Sequence, residues 1–576
     1  MQFRPVIAAT MLVLWAQAPA LYAQTAAETP IAEPIDSGAY LAARVAGTDN
    51  DFREAAYWFT RALLAAPGDL SLMEGTVLAQ AGAGNFDAAI AVATKLKATG
   101  MKSPSAEIVL IADEAKRGDF AALQVKPELA RTGASLLDGL INAWAELGKG
   151  QMSDALDAFD ALGKTDGLNG FAMFHKALAL ASAGDFEGAE AIMTGDAAGA
   201  IASLRRGTMA RIQILSQLER NPEAIALLDQ AFAGDTDPAI TSLRARLEAG
   251  EPVPFDIVRN PADGVAEVFF SLALALNGEA DDAFTLQYTR AALYLRPDHS
   301  EAILLTGALL ENLKQYDLAT EIYSTMPPAD GGFFAAEIGR ARALQGAGQL
   351  DAALEVLKTQ AAANPEQTPI RLALADMLRG EERWAEAATA YDAVLANVPQ
   401  PVPAGYWSVY YSRAIALERQ KLWEPAEADF RKALELAPDQ PQVLNYLGYS
   451  YLERGENYDE ALSMIERAVA QRPESGYIID SLAWGYFLAG RYTDAVVPME
   501  KASLLEPVDA TVTDHLGDVY WAVGRKLEAK FQWRRALSFD PEDELATRIR
   551  RKLEIGLDAV LAEEGAKPLT DVKNGN

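Results

Sequence analysis

Few residues in this chain have the types or spacing for bond-making chemistry. The 576 residues include three histidines, His175, His299 and His515, and no cysteine. Without a thiol there is no disulfide, no thiolate metal site, no cysteine nucleophile and no lipid-bearing cysteine. The histidines lie far apart, so no spacing suits a shared metal ion. None stands in a recognisable triad motif. His175 and His515 read as packing or surface residues, and His299 follows Pro297-Asp298 at a turn. Gly82-Ala83-Gly84 and Gly346-Ala347-Gly348 have no strand before them and no Walker lysine after them, so they read as helix ends rather than phosphate loops. Asp235-Thr236-Asp237 lacks the glycine and the later ligands of a calcium loop, and acid pairs such as Asp281-Asp282 are too common to nominate a site. The expectation is a non-enzyme with no catalytic residue, no metal ligand and no cofactor.

The chain carries 51 basic and 81 acidic residues, a net charge of −30. That balance argues against general nucleic-acid binding, which relies on basic footprints, and fits a basic partner. Most of the carboxylates are scattered and read as solvated helix faces.

The residues that do recur are structural. One short pattern is written three times between Pro441 and Asp543. The copies are Leu447-Gly448, Tyr451, Ala461, Ala468, Pro473; then Leu482-Ala483, Tyr486, Ala495, Ala502, Pro507; then Leu516-Gly517, Tyr520, Ala529, Trp533, Ala536, Pro541. Successive prolines are 34 residues apart. A fixed period of this size marks a helical solenoid. In the third copy the spacing predicts one helix over 510–523 and a second over 527–539. Gly517 marks a close approach between the pair, Gly524 ends the first helix, and Trp533 fills the space between units. These residues resemble the tetratricopeptide repeat family. The expected fold is all-α, a superhelical solenoid of helix-turn-helix repeats closed by a capping helix.

Along the rest of the chain the period is looser. Met1 to Ala23, with Arg4 and the apolar run Val6–Ala16, has the form of a secretory signal cleaved after Ala20 or Ala23, or kept as an anchor. Residues 24–36 read as a flexible leader and 37–233 as a degenerate N-terminal array. A short helix flanked by loops is expected over 234–264, as a hinge. A second array covers 265–543, a capping helix with Arg548, Arg550, Arg551 and Lys552 covers 544–563, and a disordered tail covers 564–576.

The resemblance implies that the first helix of each unit lines a concave wall that binds a protein or peptide. In the three strong copies this wall comprises Asn445 and Tyr449, then Tyr477, Asp480, Trp484 and Phe487, then Asp514, Asp518 and Trp521. Aromatic rings supply contact area, and amide or acid groups set direction. The competing reading is that Trp484, Phe487 and Trp521 merely pack between neighbouring first helices. Acids stand where a carboxylate-gripping wall would need bases, which favours a neutral or basic partner. The C-terminal copies also resemble long proteobacterial envelope repeat proteins, one of which is a lipoprotein adaptor of a carboxyl-terminal processing protease. The implied role is a scaffold or adaptor in the periplasm, free or associated with the outer membrane. The alternative is an assembly factor for envelope, polysaccharide or secretion machinery.

Overall fold

The computed structural model describes residues 36–124, 135–195, 199–232, 238–566 and 568–569. The expected signal segment, almost all of the leader, the acidic run Asp235-Thr236-Asp237 and most of the C-terminal tail lie outside the described residues. Among the described residues the regular elements are helices, with no strand. None of these helices is long and apolar enough to cross a membrane.

The chain forms two compact units that interleave in sequence. One comprises residues up to 219 together with 254–315; the other comprises 220–253 together with 316 onward. The chain passes between the units after residues 219, 253 and 315, and the second of these crossings lies within the expected 234–264 interruption. The short helix is present, Pro238–Glu248, but the residues after it are held in place in the first unit. Ile257 and Val258 are buried. Gln213 Nε2 donates to Asp256 Oδ1 at 2.6 Å, and Arg296 donates to the Asp256 and Ile257 carbonyls. Those bonds satisfy backbone groups that a free loop would leave to water.

The first unit is built round Trp144, His175 and Phe269, all fully buried. Trp144 Nε1 lies 3.2 Å from His175 Nδ1, and His175 Nε2 lies 3.2 Å from Ser271 Oγ. Burial lowers the His175 pKa to about 4, so the ring is neutral. His299 is buried too, at a helix start, where its Nδ1 accepts from the Ala302 amide. Beside it, Arg206 is paired with Glu267 and, at 3.2 Å, with Glu301.

The second unit stacks hairpin on hairpin. Its last three pairs are Pro441–Arg454 with Tyr458–Gln471, Gly476–Leu488 with Tyr492–Leu505, and Ala510–Ala522 with Lys526–Leu537. These are the three sequence copies, and their apolar periodicity becomes successive buried clusters. Ala461, Ala495 and Ala529 are fully buried, as are Tyr451 and Trp533. A Cβ on Gly517 would stand 2.4 Å from Trp533 Cδ1, so only glycine lets the indole lie against the first helix. Gly524 ends that helix at φ +84°, in the region that disfavours a side chain. The expected single capping helix is two, Asp543–Ile555 and Leu557–Glu563, broken at Gly556.

Candidate functional site

The nine residues expected on the inner wall separate into three groups. The last repeat is closed. Asp514 and Asp518 are buried, and the fully buried Lys552 from the capping helix Asp543–Ile555 sits between them. Lys552 Nζ is 2.7 Å from Asp514 Oδ2 and 2.7 Å from both Asp518 oxygens. Asp518 Oδ1 also accepts from Trp533 Nε1 at 2.9 Å. Arg548, one turn before Lys552, lies 3.6 Å from Asp518 Oδ2. Trp521 is 9% exposed, packs on Trp533 and donates from Nε1 to Asp558 Oδ2 at 2.7 Å. These three residues therefore do not face a partner. Capping residues fill the space that a ligand would need, and the expected polar outer side of the cap holds for Arg550 but not for Lys552.

The middle repeat is partly closed. Asp480 is 7% exposed, and its two carboxylate oxygens lie 3.0 and 3.1 Å from His515 Nδ1. The His515 ring stacks on Trp484 with centroids 4.0 Å apart, and Trp484 stacks in turn on Phe487 at 4.6 Å. Burial alone would lower the His515 pKa; the charges of Asp480, Asp514 and Asp518 outweigh it and raise it. Phe487 is buried and packs inside the unit, whereas Trp484 keeps one part in solvent. Tyr477 is exposed, beside the Glu506 carboxylate.

The earlier repeats leave the wall open. Asn445 and Tyr449 are partly exposed, and the Asn445 Oδ1 has no hydrogen-bond partner. Around them stand two acids that the sequence reading did not single out. Tyr446 donates to Glu418 Oε2 at 3.1 Å, and Tyr449 hydrogen-bonds Glu453. Loss of solvent, and the nearby Glu418 carboxylate, push the Glu453 carboxyl above its ordinary value despite the Tyr449 bond and Arg419. The open surface is thus two tyrosines and a tryptophan edge among carboxylates, while the unpartnered Asn445 Oδ1 is itself buried. Sequence spacing held a clue to the closed part: Asp514 and Asp518 are four apart, as are Arg548 and Lys552, so two helix faces carry matching ladders of opposite charge. Among the described residues no group of three or more His, Cys, Asp or Glu is placed to hold a metal ion.

This arrangement of helix pairs has relatives. Family profiles described as tetratricopeptide repeat match residues 40–104, 338–401 and 443–475. These stretches match tetratricopeptide repeats, and the helices of each unit pair as the hairpins such repeats form. It is 26% identical over 190 residues to a TPR repeat-containing protein of Pseudomonas aeruginosa. That match spans 33% of this chain and 31% of the relative's length. Among solved structures, a tetratricopeptide repeat protein from Parabacteroides merdae is 19% identical, covering 45% of this chain and 98% of that one, with a TM-score of 0.36. A chain of the APC/C hetero-tetramer Cut9-Hcn1 is 13% identical, covering 90% of this chain and 96% of that one, with a TM-score of 0.36. Stacked repeats of this kind generally serve as non-catalytic scaffolds that bind protein or peptide partners on an extended surface.

Proposed function

We propose that this protein is a scaffold of the bacterial cell envelope that holds a basic segment of a partner protein against Asn445, Tyr449 and Trp484. One observation carries this reading. Glu418, Glu453 and the Tyr449 hydroxyl face one another at the open wall, with Arg419 the nearby cation. At the neighbouring end of the same wall, the two acids of the last repeat already hold a lysine of the chain itself. A lysine or arginine from a partner would meet the same chemistry at the open positions, with the tyrosine rings supplying contact area. The envelope setting rests on the basic start, apolar run and small residues of Met1–Ala23. A docking role for an envelope protease and a role in assembling envelope or export machinery both follow from such a surface.

The test is photo-crosslinking from position 449 in cells, followed by mass spectrometry of the product. The expected product joins position 449 to a Lys- or Arg-bearing segment, and Glu418→Lys with Glu453→Lys removes it. A co-captured serine protease supports the adaptor role; synthesis or export components support the assembly role. A product unaffected by the double substitution, or one formed equally from an outer position such as Lys432, overturns the reading.

A further inference from the structure

The outer face of the last two repeats differs from the outer faces of the two repeats before it. Val497 and Leu504 on helix Tyr492–Leu505, and Val508 in the turn after it, are 74%, 79% and 72% exposed. On helix Lys526–Leu537, Leu527 and Phe531 are 67% and 58% exposed. Val497 and Leu504 are seven apart on one helix, and Leu527 and Phe531 are four apart on the other, which places each pair on one face; Val508 follows in the turn. The two preceding outer helices, Trp423–Leu436 and Tyr458–Gln471, expose no large apolar side chain. The two helices are neighbours, since Arg525 is 2.9 Å from Glu500 and Arg535 bonds both Ser503 and the Pro507 carbonyl.

Cations punctuate this face. Lys501, between Val497 and Leu504 in sequence, donates to the Pro473 carbonyl and lies 3.7 Å from Glu474, whereas Lys530 and Arg534 stand one residue before and three after Phe531. The acids of the same helices are already matched: Asp494 by Arg491, and Glu500 and Glu528 by Arg525. Lys530 and Arg534 form no ion pair among the described residues. In a chain of net charge −30, helix Lys526–Leu537 thus carries a local positive excess, with Lys526, Lys530, Arg534 and Arg535 against the single acid Glu528. Exposed charges further away than about 10 Å are largely screened, so the local sign governs what this face meets.

We propose that the outer face of helices Tyr492–Leu505 and Lys526–Leu537 rests on an anionic lipid surface. The apolar side chains are largely exposed on the helices, which suits entry between headgroups. Lysine and arginine one turn away are then level with the phosphates. The surface is separate from the open wall at Asn445 and Tyr449 and does not depend on what binds there.

The experiment is flotation of the full-length mature protein with vesicles of phosphatidylglycerol and phosphatidylethanolamine, against pure phosphatidylcholine vesicles, at low and high salt. The protein should float with the anionic vesicles at low salt only. Leu504→Ser with Phe531→Ser, and separately Lys530→Glu with Arg534→Glu, should each lower the bound fraction by about tenfold or more. Far-ultraviolet circular dichroism checks that both variants keep their helices, which is expected because every altered side chain is at or near the surface. Tyr449→Ala should float like the parent. Absence of flotation at low salt overturns the proposal. So does flotation indifferent to both pairs, or an effect of both pairs solely on capture of a soluble acidic protein.

Discussion

Replacing Lys552 by methionine should unlock the end of the stack. The lysine side chain and that of Asp518 are 0% exposed, and that of Asp514 is 2% exposed. Methionine keeps most of the aliphatic body and removes only the ammonium. Two buried carboxylates are then left facing each other, with Arg548 no nearer than 3.6 Å. Breaking a buried pair by deleting one partner costs about 3–5 kcal/mol. The damage should be local, since each repeat leans only on its neighbours: amides of Ala510–Ala522 and Asp543–Ile555 should lose exchange protection while those round Trp144 keep theirs. The cost should also depend on pH in a fixed direction. Burial, and then the charge of Asp518, hold the Asp514 carboxyl above its ordinary value even beside Lys552, and removing the lysine raises it further. A carboxyl raised in the folded state contributes its stability below its unfolded value and loses it as pH rises through the folded value. Urea unfolding of Lys552→Met should therefore approach the parent near about pH 4 and fall furthest below it near about pH 8. Adding Asp514→Asn and Asp518→Asn should restore most of the loss at neutral pH, because the buried charge is gone. A penalty under about 1 kcal/mol at neutral pH, or one that grows on acidification, would falsify this account of the cluster.

Trp533→Ala should cost about 3–5 kcal/mol, measured by thermal or urea unfolding, because it empties a fully buried site and strips a donor from Asp518. Gly517→Ala should cost about 1–3 kcal/mol, since the new Cβ must displace the Trp533 indole; a paired Trp533→Leu background should shrink that effect. His175 is buried with its pKa lowered to about 4, so the unfolded chain takes up its proton first and stability falls as pH drops through that interval. The difference in stability between parent and His175→Gln should narrow by about 3 kcal/mol between pH 7 and pH 4, and parallel curves would count against a neutral ring. His515 has the opposite sign: its pKa is raised, so its pairing with Asp480 stabilises below its unfolded value and fades as pH rises through the folded one. Asp480→Asn should thus cost more at about pH 6 than at about pH 9, with a nuclear magnetic resonance titration of His515 moving downward in parallel.

How far the molecule can be read from its residues varies along the chain. The three strong copies announce their helices because Leu516, Tyr520 and Gly517, with Ala529 and Trp533, occupy positions that short-range periodicity alone explains. Gly524 marks the turn for the same reason, a backbone angle that a side chain resists. The site was less legible. Of the nine residues placed on the inner wall, Asn445, Tyr449, Tyr477 and Trp484 keep solvent contact, while Asp480, Phe487, Asp514, Asp518 and Trp521 are buried. Periodicity puts all nine on the same helix face. It cannot say which parts of that face a later helix will cover. Glu418 and Glu453 were overlooked because nothing local distinguishes them from the solvated carboxylates around them.

What the amino-acid order settles here is everything governed by near neighbours: helix pairs, their turns, the 34-residue repeat and the small-against-large core, each a matter of positions within one or two hairpins. Tertiary structure decides the rest, because electrostatics and burial depend on residues brought together from distant points. Lys552 reaches back 38 residues to Asp514, and Arg296 reaches back 40 residues to the Asp256 carbonyl. The same rows of acids are thereby sealed in the last repeat and left open in the repeats before it. Only the packed fold determines which carboxylates are structural and which are free to meet a partner.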